Sequence, residues 1–283
     1  MRPWKAFVAV GIVLLAVLAA CQKELSADGE VVAQGKQKVN IYLTDDPALF
    51  DSVVVNILAV KARVDTCSKS SDDQRDDDDD DSCEVWFDLN ISAGMYDLLR
   101  LRNGIDTLLA TGTIPQGKVE KVKLVLGTGH YLVKDSIRYP LNMMPGRKSE
   151  IMIKLKDDDW DRNNSNNNNR VWLDFDVAKS IIKVRDGQFY LLPVVRPFSM
   201  VKTGAIKGKI MPLDAMAVVS VYNSSDTAFA LPDKKGEFKI RGLKEGTYSL
   251  FVNAGNNYRD TTISNIAIRA GKETELKTIT LKK

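Results

Sequence analysis

One histidine, His130, and three cysteines are all that the 283 residues hold of the side chains that best bind transition metals. A zinc site takes three or four ligands from His, Cys and carboxylates, so zinc peptidase chemistry has too few here. A hydrolytic triad needs a base held beside its nucleophile. There is no G-x-S-x-G, and His130, in "GTGHYLV", reads as a loop side chain at a strand start. No P-loop or G-x-G-x-x-G phosphate cradle is present. Nor is there a helix-turn-helix, a zinc finger or an aromatic-basic RNA motif, so nucleic acid is not an expected partner. No catalytic residue is named. Long apolar runs are missing as well, with one exception at the start: Ala6 to Ala20 carries no charge, yet it is short for a membrane span and fits the apolar part of a signal peptide.

That run follows Arg2 and Lys5 and ends "LAAC", Leu18 to Cys21. The layout resembles the bacterial lipobox, which implies a signal peptide over 1–20 and lipidation at Cys21. Two or more acyl chains anchor a protein stably, whereas one binds only marginally. Residues 21–37 then read as the lipidated cysteine and a flexible polar tether. Gln22 is not the aspartate typical of inner-membrane retention, and "QKE" resembles a surface-export signal. The expected location is the bacterial outer membrane, with either face open.

Export bears on the other cysteines. Cys67 and Cys83 enclose eight aspartates, relieved only by Lys69 and Arg75. Outside the cytoplasm such a pair is expected to be oxidised. The bond would close a solvated acidic loop and add roughly 3 kcal/mol in the chain-entropy model. Net charge is +3, but from Met200 to Lys283 there are 14 Lys+Arg against 8 Asp+Glu. That excess suits either solubility or an acidic glycan.

Elsewhere the apolar period is two. Val53, Val55, Ile57 and Ala59 share a face, as do Val122, Leu124 and Leu126, and Ile151, Ile153 and Leu155. "RVWLDFDV" places Val171, Leu173, Phe175 and Val177 inward and Trp172, Asp174 and Asp176 in solvent. This is the pattern of half-buried strands. "RNG" (102–104) and "RDG" (185–187) are tight-turn signals. One short helix is expected at "IDTLLA", where Ile105, Leu108 and Leu109 fall on one face. The first domain, 38–199, therefore reads as an antiparallel β-sandwich.

"DDDWDRNNSNNNN" (157–169) interrupts it. Asp157, Asp159, Asp161 and Asn163 fit positions 1, 3, 5 and 7 of a calcium loop, but Arg162 stands where the glycine belongs and Asn168 where the glutamate does. The stretch reads first as a low-complexity loop and second as a weak calcium site. No other cofactor is expected.

Three segments, "LTDDPALFDSVVVNILAV", "WFDLN…YDLLRLRNGIDTLLATGTIPQGKVEKVKLVLG" and "LDFDVAKSIIKVRDGQFYLLPVVRPF", together resemble a bacterial lipoprotein family, the domain of unknown function numbered forty-three eighty-two. The resemblance spans Val39 to Phe198 and implies an extracytoplasmic β-domain with no established chemistry. From "SMVKTGAIKGKI" a second domain, 200–283, begins. "GEFKIRGLKEGTYSLFV" (236–252) resembles the carboxypeptidase regulatory-like domain, with its prealbumin-like or carbohydrate-binding-like architecture, which implies a small Greek-key sandwich with Phe238, Ile240, Tyr248 and Leu250 inward.

The expected molecule is all-β, two antiparallel sandwiches in tandem. Its expected role is that of a non-enzymatic, lipid-anchored binding or adhesion module for a glycan or an envelope protein. Trp160 and Trp172 are the candidate sugar-contacting aromatics. The alternatives are a carboxylate- or metal-dependent glycan hydrolase, for which Asp174 and Asp176 are a possible pair, and a purely structural spacer.

Overall fold

The computed structural model describes residues 32–45, 48–65, 84–163, 166–184 and 187–283. Among these, the first sandwich comprises β1 (Lys36–Thr44), β2 (Ser52–Asp65), β3 (Glu84–Ile91), β4 (Gly94–Asp97), β5 (Thr107–Pro115), β6 (Lys118–Leu126), β7 (Tyr131–Lys134), β8 (Ile137–Met143), β9 (Glu150–Lys154), β10 (Asn168–Phe175), the one-turn helix α1 (Val177–Ser180), β11 (Ile181–Lys183), β12 (Phe189–Leu191) and β13 (Val195–Phe198). The second comprises β14 (Gly204–Met211), β15 (Val218–Tyr222), β16 (Thr227–Ala230), β17 (Glu237–Leu243), β18 (Gly246–Asn253), β19 (Thr261–Ile268), β20 (Glu273–Glu275) and β21 (Ile279–Thr280). The all-β expectation holds, and no helix among the described residues is long and apolar enough to cross a membrane.

β2 organises the first sandwich. One of its edges pairs with β7 and then β6, the other with β4 and then β3. It is thereby shared by both layers, and one hydrogen-bonded path runs β11-β12-β8-β7-β2-β3-β5-β1-β10-β13. Val53, Val55 and Ile57 are buried as their alternation predicts, but the parity then changes: Val60, Ala62 and Val64 are buried and Ala59 is not. The cause is a break in the β2–β6 register between Ile57 and Ala59. One extra residue in a strand moves everything beyond it to the opposite face.

The short helix expected at "IDTLLA" is not formed. Asn103 and Gly104 take positive φ, 57° and 77°, and turn the chain. Thr107 to Ala110 then open β5, which pairs with β1, Leu108 opposite Tyr42 and Ala110 opposite Ile41. Strand pairing overrides an apolar spacing too short to nucleate a helix by itself. A single 3-10 turn lies just upstream, Leu98–Leu101, with Leu98, Leu99 and Leu101 buried.

Most pairings are antiparallel, but β1–β10, β8–β12, β14–β20 and β14–β21 are parallel. β10 lies between β1 and β13. Val171, Leu173, Phe175 and Val177 join the first core, each contributing about 1.5–3 kcal/mol of burial.

The second sandwich has two four-stranded sheets, β17-β14-β20 with β21 beside β14, and β16-β15-β18-β19. The chain crosses between them from β14 to β15, β16 to β17, β17 to β18 and β19 to β20, the crossed connectivity of Greek-key sandwiches. Phe238, Ile240, Tyr248 and Leu250 lie in its core as predicted, and that core shares no residue with the first. Val32 to Lys283 nevertheless forms one compact unit.

Candidate functional site

Cys21, Cys67 and Cys83 lie outside the described residues. Asp157, Asp159, Asp161 and Asn163 lie within them, but the three carboxylates serve three different purposes. Asp157–Asp159 is a 3-10 turn rather than extended chain, so the shared parity of alternate residues is lost. Asp157 pairs with Arg162 at 2.9 Å in the open. Asp159 Oδ2 accepts from the Lys156 N–H at 2.7 Å, and burial pushes its carboxyl above the usual range. Asp161 is buried and accepts from Ser199 Oγ and, at 3.1 Å, from the Val201 N–H, while its backbone bridges to Arg170. It pins the loop to the segment that joins the two sandwiches. Among the described residues no three His, Cys, Asp or Glu side chains gather as a metal site.

The same loop builds one wall of a polar pocket of about 390 Å³, lined by Gln37, Gln116, Lys118, Asp157, Trp160, Arg162, Asn167 and Asn169, among others. Its floor is rigid. Gln37 Nε2 donates to the Pro115 and Gly117 carbonyls at 3.0 and 2.8 Å, and Gln37 Oε1 accepts from Asn169 Nδ2 at 2.8 Å. Beside it, Asn40 donates to Asn168 and accepts from Thr111. Trp160 is only 4% exposed, and its indole N–H is buried without a partner. The amide run "NNNN", which looks like low complexity in the sequence, thus supplies ordered strand and pocket residues through β10.

Trp172 is the second candidate aromatic, and the expectation of an outward ring needs correction. It does point away from the first core, but it is only 7% exposed. Its ring stacks on Tyr42 at 4.9 Å and lies beside Phe198, and its Nε1 donates to Asp106 Oδ2 at 3.0 Å. The same oxygen accepts from Arg241 Nη1 of the second sandwich at 2.7 Å. Neither Trp160 nor Trp172 offers an open ring face to a sugar.

Asp174 and Asp176, expected in solvent, are 8% and 2% exposed. Period two says which side of a sheet a residue faces but not what covers that side. Arg196, opposite Asp174 in the β10–β13 register, reaches Asp174 at 2.8 Å and Asp176 at 3.6 Å. Asp176 also caps α1 through the Lys179 N–H and holds the Lys179 ammonium at 2.8 Å. Burial pushes Asp174 up to about 6, opposed by the Arg196 charge. Both carboxylates are therefore locked in ion pairs.

His130 lies in the loop just before β7, as expected, but it is buried. Its Nδ1 accepts from the Asn56 N–H at 2.9 Å, and burial lowers its pKa, so the ring is neutral and braces β2. A lone histidine after two glycines carries no sequence signal for this role.

No curated protein matches the chain. Solved structures resemble it distantly. The minor pilin GBS52 of Streptococcus agalactiae is 12% identical over 87% of this chain and 96% of that one, with a TM-score of 0.22. The shaft pilin spaA of Lactobacillus rhamnosus GG is 10% identical over 86% and 96%, with a TM-score of 0.21. A type II cohesin–X-dockerin complex of Acetivibrio cellulolyticus is 26% identical over 28% of this chain, with a TM-score of 0.23, and the match spans 56% of that structure's chain. A family model, described as a domain of unknown function (DUF4382), matches residues 36–193, which takes in all of β1 to β12. The chain belongs to that family.

Proposed function

We propose that this protein is a non-enzymatic envelope lipoprotein, held on the outer membrane through Cys21, whose first sandwich binds a polar, hydroxyl-rich ligand such as a glycan. One observation carries the binding reading: the pocket at the Asp157–Asn169 loop has a floor of mutually bonded amides and a mouth with the Arg162–Asp157 pair. Pre-ordered amides and a guanidinium–carboxylate pair offer donors and acceptors at fixed positions, which suits hydroxyl groups and avoids ordering costs on binding. With Trp160 and Trp172 covered, recognition rests on these polar groups rather than on ring stacking.

The remaining features fit such a module. The acidic stretch between Cys67 and Cys83 joins β2 to β3, whose last and first residues, Asp65 and Glu84, are paired. A disulfide there would clasp the loop where the strand pair ends. The reading of the second sandwich, 200–283, as a carboxypeptidase regulatory-like domain is supported by Gly236, Gly242 and Gly246 all taking positive φ, and it would act as a companion domain or spacer.

The test is a glycan array probed with Gln22–Lys283, wild type against Arg162→Ala/Asn169→Ala. Loss of binding by tenfold or more, about 1.4 kcal/mol, is expected in the variant. Equal binding would place the ligand elsewhere, and an array without wild-type binding would remove the glycan. For the anchor, Cys21→Ser is expected to leave the membrane fraction.

A further inference from the structure

Along the second half of β2, four strands lie side by side in the order β3-β2-β6-β9. Their inward residues, among them Ala62, Val122 and Ile153, are buried in the first core. Successive side chains of a strand take opposite faces, so the neighbours of these residues stand on the outer face. There the registers align one row across all four strands: Trp86 opposite Arg63, Arg63 opposite Lys121, and Lys121 opposite Lys154. Three of the four members are cations.

Like charges directly opposite each other on neighbouring strands destabilise a sheet. The charges around this row are neutralised in pairs. On one side Lys61 holds Asp88 at 3.0 Å and Lys123 holds Glu150 at 3.1 Å. On the other, Lys118 holds Glu120 at 3.2 Å. Lys121 and Lys154, facing each other, have no carboxylate partner among the described residues. The uncompensated positive charge is thus confined to a line across the sheet. Trp86 ends that line, partly exposed, with the Lys123 ammonium over its ring at 4.9 Å.

Shape and charge together select the partner. Neighbouring strands lie ~4.8 Å apart, about the length of one sugar unit, so the cations of the row are spaced like the carboxylates of a linear polysaccharide that carries one on each sugar. A planar anionic surface such as a bilayer would also meet the exposed carboxylates of Asp88 and Glu150. A single extended chain lying along the row passes between those two and Glu120. The row shares no residue with the amide-floored pocket at the Asp157–Asn169 loop, so the inference does not rest on that pocket.

We propose that the outer face of β3-β2-β6-β9 is a docking surface for a linear, carboxylated polysaccharide. Lys121 and Lys154 bind neighbouring carboxylates of the chain, Arg63 extends the positive line, and the exposed part of Trp86 packs against a sugar ring at its end. Occupation relieves the repulsion between the two lysines, and high salt weakens it because the charges lie at the surface.

The test is calorimetric binding of alginate to Gln22–Lys283, which holds the whole compact unit Val32–Lys283. Wild type is expected to bind alginate at low salt, to lose it in 1 M salt, where the screening length is about 3 Å, and not to bind neutral dextran. Lys121→Gln/Lys154→Gln is expected to weaken binding tenfold or more, whereas Lys234→Gln/Lys235→Gln, the same change of net charge on the second sandwich, changes it less than about twofold. The pocket variant Arg162→Ala/Asn169→Ala is expected to bind alginate as wild type does. Absent alginate binding, equal binding of dextran, or equal losses in the two lysine variants overturns the proposal. Loss in the pocket variant alone moves the polymer to the pocket, and binding to phosphatidylglycerol vesicles that depends on Lys121 and Lys154 while alginate binding does not makes the face a lipid surface; either result overturns it too.

Discussion

Single residues decide the buried electrostatics of the first sandwich. Arg196 is the guanidinium that reaches both Asp174 and Asp176. Arg196→Leu strands two buried carboxylates, although Lys179 remains on Asp176 and the guanidinium itself is partly exposed. A loss of about 2–4 kcal/mol is expected by urea denaturation at pH 7, the lower part of the range for breaking a buried pair, and Asp174→Asn in the same background should recover part of it. Glycines give a second, cleaner comparison. Gly236 has φ 82°, and a Cβ there would collide with the Ile210 carbonyl; Gly35 has φ 74° with nothing nearby. Gly35→Ala should cost about 1 kcal/mol for the left-handed backbone alone, and Gly236→Ala clearly more in the same denaturation assay.

At the scale of the element, the Asp157–Asn169 loop shows how far a pattern can mislead. Its aspartates at 157, 159 and 161 look alike in sequence, yet one is exposed, one caps a 3-10 turn and one is buried. Asp161→Ala should therefore cost about 1–3 kcal/mol, because Ser199 and the Val201 amide lose their acceptor. Asp157→Ala should stay within about 0.5 kcal/mol. Thermal melts of both variants with and without millimolar calcium check the arrangement: a calcium shift of less than about 1 °C in wild type is expected, and a large shift abolished by Asp157→Asn would restore the calcium loop. The legible parts of this sandwich were the strands with one covered face, as at Val122, Leu124 and Leu126. The bulge at Leu58 and the strand start at Thr107 were not legible, because register is set by partners far along the chain.

For the whole molecule the question is how independent the two sandwiches are. Their cores are separate, yet they share the Arg241–Asp106 pair, the Asn103 Nδ2 bond to the Leu231 carbonyl at 3.0 Å, and the packing of Gly242 on the Phe198 ring. Gly204–Lys283 alone is expected to melt cooperatively, since its core is its own, but at a lower temperature than in the full chain because these contacts are lost. A fragment without a cooperative transition by calorimetry would mean that the second core depends on the first. Arg241→Ala in the full chain should move the second sandwich's melting toward that of the fragment.

The sequence by itself determined what local chemistry can carry. Period-two alternation made the chain all-β, and the inward positions of β6, β10, β17 and β18 could be read directly, since burial of one face leaves a mark at every second residue. Paired Asn-Gly and well-spaced glycines marked turns because few other residues take positive φ. The tertiary structure alone decided what lies over the other face of each sheet. Trp172, Asp174 and Asp176 read as solvent-facing because alternation is silent about a second covering layer. That cover comes from β17 of the second sandwich, from α1 and from the Arg196 side chain of the neighbouring strand β13, whose meeting over β10 depends on long-range packing. The polar pocket arises the same way, from amides, a carboxylate and a guanidinium whose spacing along the chain bears no relation to their nearness in space.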